Sequence, residues 1–294
     1  MAFVCGAVGM GACASIARSN SAPGTGPACV KTVFGSNRPV TLYVPNNYTC
    51  RTAAPLVVML HGYTSSGDTK EQYFGLNDEA DKRGFLYIHP DGTKDRQGNR
   101  FWNATDACCN FYGSTVDDSA YISTLISTVE AAYNVDRKRI YLIGHSNGGF
   151  MSYRMACEHG DQIAAIASLA GAMYEDVTQC QAASTVSVLQ IHGVADEAIS
   201  YDGGMLTRRY PSAKATVADW ATKDKCAAPP LTSAASLDLD RGVAGSETTV
   251  IRYKGCSAGT AVQLWSVAGG GHTLDITPNL VPAVMDFFYA HPKQ

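Results

Sequence analysis

Four stretches of the chain are apolar almost without interruption and close on a glycine or a loop: "APLVVMLHG" (54–62), "GFLYIHPDG" (84–92), "KRIYLIGHS" (138–146) and "VSVLQIHG" (186–193). A strand with one wet face alternates polar and apolar residues, so unbroken runs of this length predict strands buried on both faces of a parallel sheet. Between them lie helical stretches such as "DDSAYISTLISTVEAAY" and "FMSYRMACEHG". Asp117 or Asp118 would cap the first of these, leaving Ile122, Leu125, Ile126 and Val129 on one buried stripe. Strand and helix in alternation predict an α/β fold with a doubly wound, mostly parallel sheet. "TTVIRYKGC" and "AVQLWSVAGGG" add two strands around the turn "SAGT". A last helix is expected to begin with Thr277 as N-cap and Pro278 at its first position, turning Leu280, Val284, Phe287 and Phe288 inward.

The 294 residues, 46% hydrophobic, are enough for one large core, and one domain is expected over 28–294. Residues 1–27 read differently. "MAFVCGAVGMGACAS" is apolar and rich in small residues, like a shortened export leader, and "SNSAPGTGP" has the composition of a flexible tether. "GMGAC" loosely matches the box before a lipidated cysteine, which would make Cys13 an anchor point and the protein a bacterial cell-envelope lipoprotein. Otherwise Cys5 and Cys13 are incidental to a secreted chain. A net charge of −3 without a basic stripe argues against nucleic acid as a partner. A monomer is expected.

Ten cysteines without a CxxC pair or zinc-type Cys/His spacing favour an oxidising compartment. Setting Cys5 and Cys13 aside leaves eight, for which sequence alone allows about a hundred connectivities. Cys29 and Cys50 flank "VKTVF" and "VTLYV", a possible hairpin. Cys157 and Cys180 bracket one segment, and Cys226 and Cys256 another. The adjacent Cys108 and Cys109 are either bonded to each other or free thiols.

"GHSNG" (144–148) fits G-x-S-x-G, with an apolar strand before it and an amphipathic helix after it. A sharp strand-to-helix turn strains the serine backbone and leaves no room for side chains at the two glycines. Ser146 would stand at its tip as a nucleophile. A serine hydroxyl needs an imidazole to take its proton, and the imidazole needs a carboxylate to orient it. In the order serine, acid, histidine, "LQIHGVADE" places Asp196 just past one buried strand and "LWSVAGGGHTLD" places His272 just past another. His61 and His192 belong to strands, His145 is the elbow's variable position, and His159 and His291 lie at helix ends. Glu197, Asp202 and Asp275 are the spare carboxylates. Oxyanion donors are expected at the backbone N–H of Asn147 and, from "LHGYTSSGD", of Tyr63. Tyr63, Trp102, Asn103 and Tyr112, on loops at the same sheet edge, are candidates for an aromatic substrate cleft. No metal or organic cofactor is implied.

With these motifs in place the chain resembles the polyhydroxybutyrate depolymerase-like and feruloyl esterase-like families of the alpha/beta-hydrolase superfamily. The likeness runs over "PLVVMLHGYTSSG", "HPDGT", "FWNATDACCN" followed by "VDD", "RIYLIGHSNGGFMSYRMACE", "IHGVADE" and "GGGHT". It implies an alpha/beta-hydrolase fold without a large cap. It also implies a secreted serine esterase with Ser146, Asp196 and His272 as its triad, and disulfides Cys157–Cys180 and Cys226–Cys256. Its expected substrates are feruloyl-type, aryl or short-chain esters, plant-wall derived or polymeric. Polyester depolymerase and acetyl-xylan esterase are the alternatives, and a binding protein on a dead hydrolase scaffold is the alternative outside enzymes. Leu274 stands where the family often carries tryptophan, and no separate polymer-binding domain is recognisable, which turns the expectation away from crystalline polyester.

Overall fold

The computed structural model describes residues 33–34, 38–182, 184–234 and 236–294; the leader and tether (1–27), Cys13 and Cys29 lie outside them. Eight strands form one sheet: Ala54–Leu60 (β1), Leu86–Ile88 (β2), Val135–His145 (β3), Ala165–Leu169 (β4), Ser187–Gly193 (β5), Ala227–Thr232 (β6), Thr248–Lys254 (β7) and Val262–Val267 (β8). Their spatial order is β6-β7-β8-β5-β4-β3-β1-β2. From β8 to β2 every neighbouring pair is parallel, whereas β7 pairs antiparallel with both β8 and β6.

Among the described residues six helices cover the sheet: Gly67–Phe74 (α1), Leu76–Arg83 (α2), Asp118–Ala132 (α3), Asn147–Glu158 (α4), Ala213–Lys223 (α5) and Leu280–Ala290 (α6). Successive strand residues point to opposite faces, so β1 feeds two cores. Leu56, Val58 and Leu60 join Ile122, Phe150 and Trp220 from α3, α4 and α5. Val57 and Met59 join Phe74, Leu76 and Phe288 from α1, α2 and α6. All residues of β1, β4 and β5 are buried, which is why these strands show no polar alternation. The doubly wound, mostly parallel sheet expected from the sequence is the one observed.

Asp117 is the α3 cap, accepting the Ala120 N–H at 3.0 Å. Asp118, fully buried, instead accepts the Asn103 N–H at 2.7 Å and an Arg38 guanidinium hydrogen at 2.5 Å. Val33–Phe34 pairs antiparallel with Val40–Thr41, and Tyr43 bridges to Tyr87 on the β2 edge, covering a strand that would otherwise offer free backbone groups.

Three elements differ from expectation. β4, "AIASL", is too short and too rich in small residues to announce itself. β6, "AAPPLT", carries two prolines that only an edge strand tolerates. The last helix starts at Leu280 with Asn279 as its N-cap, two residues after the expected start. The Thr277 hydroxyl donates to the Asp238 carbonyl at 2.7 Å and accepts the Asn279 N–H at 3.3 Å, so it closes a separate turn over Thr277–Asn279 ahead of the helix.

Disulfides join Cys157 to Cys180, Cys226 to Cys256 and Cys108 to Cys109. Cys50 is also disulfide-bonded. The first ties the end of α4 to the loop beyond β4, closing a covalent ring behind the serine turn, a constraint typically worth about 3 kcal/mol.

Candidate active site

β3 ends at His145 and α4 begins at Asn147, so the reversal falls on Ser146 alone. Its backbone takes φ 56° and ψ −120°, a region L-residues avoid at a cost of order 1–3 kcal/mol. Two contacts hold it there. The Ser146 N–H donates to the Leu169 carbonyl at the end of β4, 2.8 Å away. On the other side the turn is pressed against β1: a Cβ at Gly148 would lie 2.0 Å from the Leu60 oxygen, and one at Gly144 would lie 2.1 Å from the Gly148 oxygen. The glycines of the motif are therefore required by backbone-to-backbone contact. Ser146 stays 8% exposed.

The loops after β5 and β8 converge on that hydroxyl. His272 Nε2 lies 3.0 Å from Ser146 Oγ, and His272 Nδ1 lies 2.9 and 3.0 Å from the two Asp196 carboxylate oxygens. With Nδ1–H facing a carboxylate, Nε2 presents its lone pair to the serine. Asp196 also accepts the N–H groups of Ala198 and Ile199 at 2.9 and 2.8 Å. Burial alone would raise its pKa, but hydrogen bonds from His192, His272 and Ile199 outweigh burial and hold the carboxyl well below the usual range. Of the spare carboxylates, Glu197 meets the His272 N–H at 3.3 Å, Asp275 pairs with Arg241 at 2.8 Å, and Asp202 lies on an exposed turn beyond β5.

Three buried histidines outside this trio each tie down one of its loops. His145 Nε2 lies 3.0 Å from the His272 carbonyl, so that nitrogen carries the proton. Its Nδ1 has no partner among the described residues. Burial, then the neighbouring Lys70 ammonium, push its pKa down to about 3. His61 donates from Nδ1 to the Gly62 carbonyl at 2.7 Å and accepts the Gly92 N–H at 2.8 Å, and burial lowers its pKa to about 4. His192 lies 3.3 Å from Asp196. The spacing His192-x-x-x-Asp196 was a legible signal for this last contact; nothing local marks the other two.

The N–H groups of Tyr63 and Asn147 donate to no acceptor among the described residues. Gly62 lets the Tyr63 loop lie close over the nucleophile, since a Cβ there would sit 3.3 Å from Ser146 Cβ. An unpaired N–H at a helix N-terminus beside a serine oxygen is what a developing oxyanion requires.

The four cleft candidates have different fates. Trp102 is fully buried, which removes it from any cleft wall. Its indole donates to the His61 carbonyl at 3.0 Å, and its backbone N–H and carbonyl pair with the Asn147 side chain at 2.7 and 3.0 Å. The tryptophan thus locks its loop onto the start of α4. Asn103 spends its amide on the Val116 carbonyl and its backbone carbonyl on Arg154. Tyr63 donates to Asp95 at 2.9 Å and meets the exposed Phe111 edge-on at 5.1 Å, while Tyr112 packs under Arg96. Phe111 is the aromatic that sequence reading passed over.

The family described as Esterase PHB depolymerase matches residues 39–236. Feruloyl esterase B of Piromyces equi is 27% identical over 244 residues, covering 80% of this chain and 42% of its own length. Feruloyl esterase D of Neurospora crassa is 24% identical over 259 residues, covering 84% of this chain and 78% of its own. The chain spans less than half the length of the first curated relatives it matches. An acetyl xylan esterase from Aspergillus awamori superposes with a TM-score of 0.66 at 18% identity, over 86% of this chain and 94% of its own.

Proposed function

The chain belongs to the Esterase PHB depolymerase family, and on that premise we propose that it is a serine carboxylesterase acting through Ser146, His272 and Asp196. The observation that carries this reading is the continuous line of contacts from Ser146 Oγ to His272 Nε2 at 3.0 Å and from His272 Nδ1 to Asp196 at 2.9 Å. Ser146 Oγ attacks the ester carbonyl while His272 takes its proton. The tetrahedral oxyanion is held by the Tyr63 and Asn147 N–H groups, and Asp196 stabilises the imidazolium. His272 returns the proton to the leaving alkoxide, leaving an acyl-serine. Water, deprotonated by His272, then releases the acid and restores Ser146.

The substrate proposed is an aryl or short-chain carboxylic ester of the feruloyl type, in keeping with the feruloyl esterases among the relatives. Phe111 and Tyr63 supply an aromatic surface beside the oxyanion loop for such a ring. A polyester substrate is the second reading, favoured by the family's own description. Export to an oxidising compartment accords with three disulfides among the described residues. Labelling with a fluorophosphonate probe, followed by turnover of methyl ferulate, p-nitrophenyl esters and short polyhydroxybutyrate, tests the proposal. Labelling should vanish in Ser146→Ala; equal labelling of that variant would refute the nucleophile. Preference for short polyhydroxybutyrate with no ferulate turnover would replace the first substrate with the second.

A further inference from the structure

Behind Asp196 a buried chain of polar side chains runs into the core: Tyr153 from α4, then Gln190 and His192 from β5, each 0–1% exposed. Its hydrogen bonds leave one consistent set of proton positions. Gln190 Nε2 lies 2.8 Å from the Gly171 carbonyl, which can only accept, so the amide nitrogen belongs on that side. The amide oxygen then accepts from the Tyr153 hydroxyl at 2.9 Å. The second hydrogen of Gln190 Nε2 faces His192 Nδ1 at 3.1 Å, so Nδ1 must be the bare, accepting nitrogen. The proton of His192 therefore sits on Nε2. That nitrogen meets two oxygens that only accept, the Ile199 carbonyl at 2.7 Å and Asp196 Oδ2 at 3.3 Å. The Ile199 N–H in turn donates to Asp196 Oδ1 at 2.8 Å.

We propose that His192 is a positioning residue of the triad, held neutral with its proton on Nε2 by Gln190, clamping the Ile199 peptide and the Asp196 carboxylate so that the acid stays in register with His272. Neither ring nitrogen can change its role without breaking a buried hydrogen bond. A proton on Nδ1 would confront the Gln190 amide hydrogens, and loss of the Nε2 proton would set a lone pair against the Ile199 and Asp196 oxygens. The groups facing Asp196 are His192, His272 and the Ala198 and Ile199 N–H groups, with the His145 ring and the Tyr210 phenol within electrostatic reach. Facing His192 besides are Gln190 and the Tyr201 ring, edge-on at 5.7 Å. A donor at His192 Nε2 makes Asp196 less basic. Removing it makes Asp196 more basic and strengthens its pull on the His272 proton, a change that the pH profile of turnover reports.

The proposal rests on Asp196 acting as the acid of an esterase, and its test separates the two. In His192→Met, of similar bulk and without a donor, kcat should fall about tenfold with KM unchanged, and the acidic limb of the kcat/KM profile should move to higher pH. His192→Gln, whose amide nitrogen reaches about where Nε2 stood, should recover most of kcat and the original limb. Wild-type kcat and pH profile in the Met variant, or equal losses in the Met and Gln variants, would overturn the positioning role. Should the Met variant not fold, long-range proton–nitrogen NMR of the wild type decides independently of turnover. His192 should carry its proton on Nε2 and accept at Nδ1, and a proton found on Nδ1 would overturn the assignment. Absence of ester hydrolysis and of Ser146 labelling in the wild type would refute the esterase and leave the NMR result to judge the clamp.

Discussion

Lowering the pH from 7 to 4 is expected to remove about 4 kcal/mol of folding stability, chiefly through His61 and His145. Burial lowers their pKa values from 6.5 to about 4 and about 3. In the unfolded chain both bind protons near pH 6.5, whereas in the folded protein they stay neutral until the pH reaches 4 or 3. Protons are thus taken up preferentially by the unfolded state, and stability falls as pH drops through that window. At about 1.4 kcal/mol per unit of displacement, the two histidines together cost about 6 kcal/mol at pH 4 relative to pH 7. Asp224 opposes them. Burial raises its pKa from 3.8 to about 6, so the folded state binds its proton first and regains about 2 kcal/mol as pH falls from 6 towards 4. Urea titrations with the disulfides intact, followed by tryptophan fluorescence at pH 7, 5.5 and 4, measure the difference. A total stability of 5–15 kcal/mol makes such a loss plain in the midpoint. Stability constant to within about 1 kcal/mol across the three pH values would refute the reasoning, because it would mean that the unfolded state gains no proton uptake over the folded one. His145→Gln should shrink the pH dependence by about 3 kcal/mol, the share assigned to that ring.

Gly148→Ala should abolish hydrolysis and cost roughly 3 kcal/mol or more, since its Cβ would lie 2.0 Å from the Leu60 oxygen. Gly98→Ala, at φ 86° with open space around it, should cost only about 1 kcal/mol and keep full activity. Both are read by thermal unfolding beside turnover. Asp196→Asn should lower kcat about 10⁴-fold at neutral pH with the fold retained, because an amide favours the wrong His272 tautomer; steady-state kinetics and circular dichroism check it. Trp102→Phe should destabilise by about 1–2 kcal/mol through the orphaned His61 carbonyl and leave substrate preference unchanged, as a panel of acyl chain lengths would show.

What could be read along the chain depended on signals that are local. Buried parallel strands advertise themselves as unbroken apolar runs, α3 by its Asp117 cap and its stripe, and the serine turn by two glycines whose Cβ atoms would strike backbone. Asp196 and His272 follow strands that the same runs delimit, so their places at the sheet edge could be anticipated from strand ends. The misses share a cause as well. β4 and β6 lack local signals because neighbours, not composition, make them strands, and Thr277 is tied into a turn of its own by a carbonyl 39 residues away in sequence.

Side-chain destinations were decided by packing. Trp102 sits on an exposed-looking loop in the sequence, yet tertiary structure sinks its indole onto the His61 carbonyl, because the Asn147 amide fastens that loop to α4. His61, His145 and His192 look alike as histidines at strand ends, and only the folded chain shows that each braces a different loop of one site. Periodicity and turn chemistry act over a few residues and are written in order along the chain. Partners from different strands meet only when the sheet has formed, so their hydrogen bonds, protonation and exposure belong to the tertiary structure.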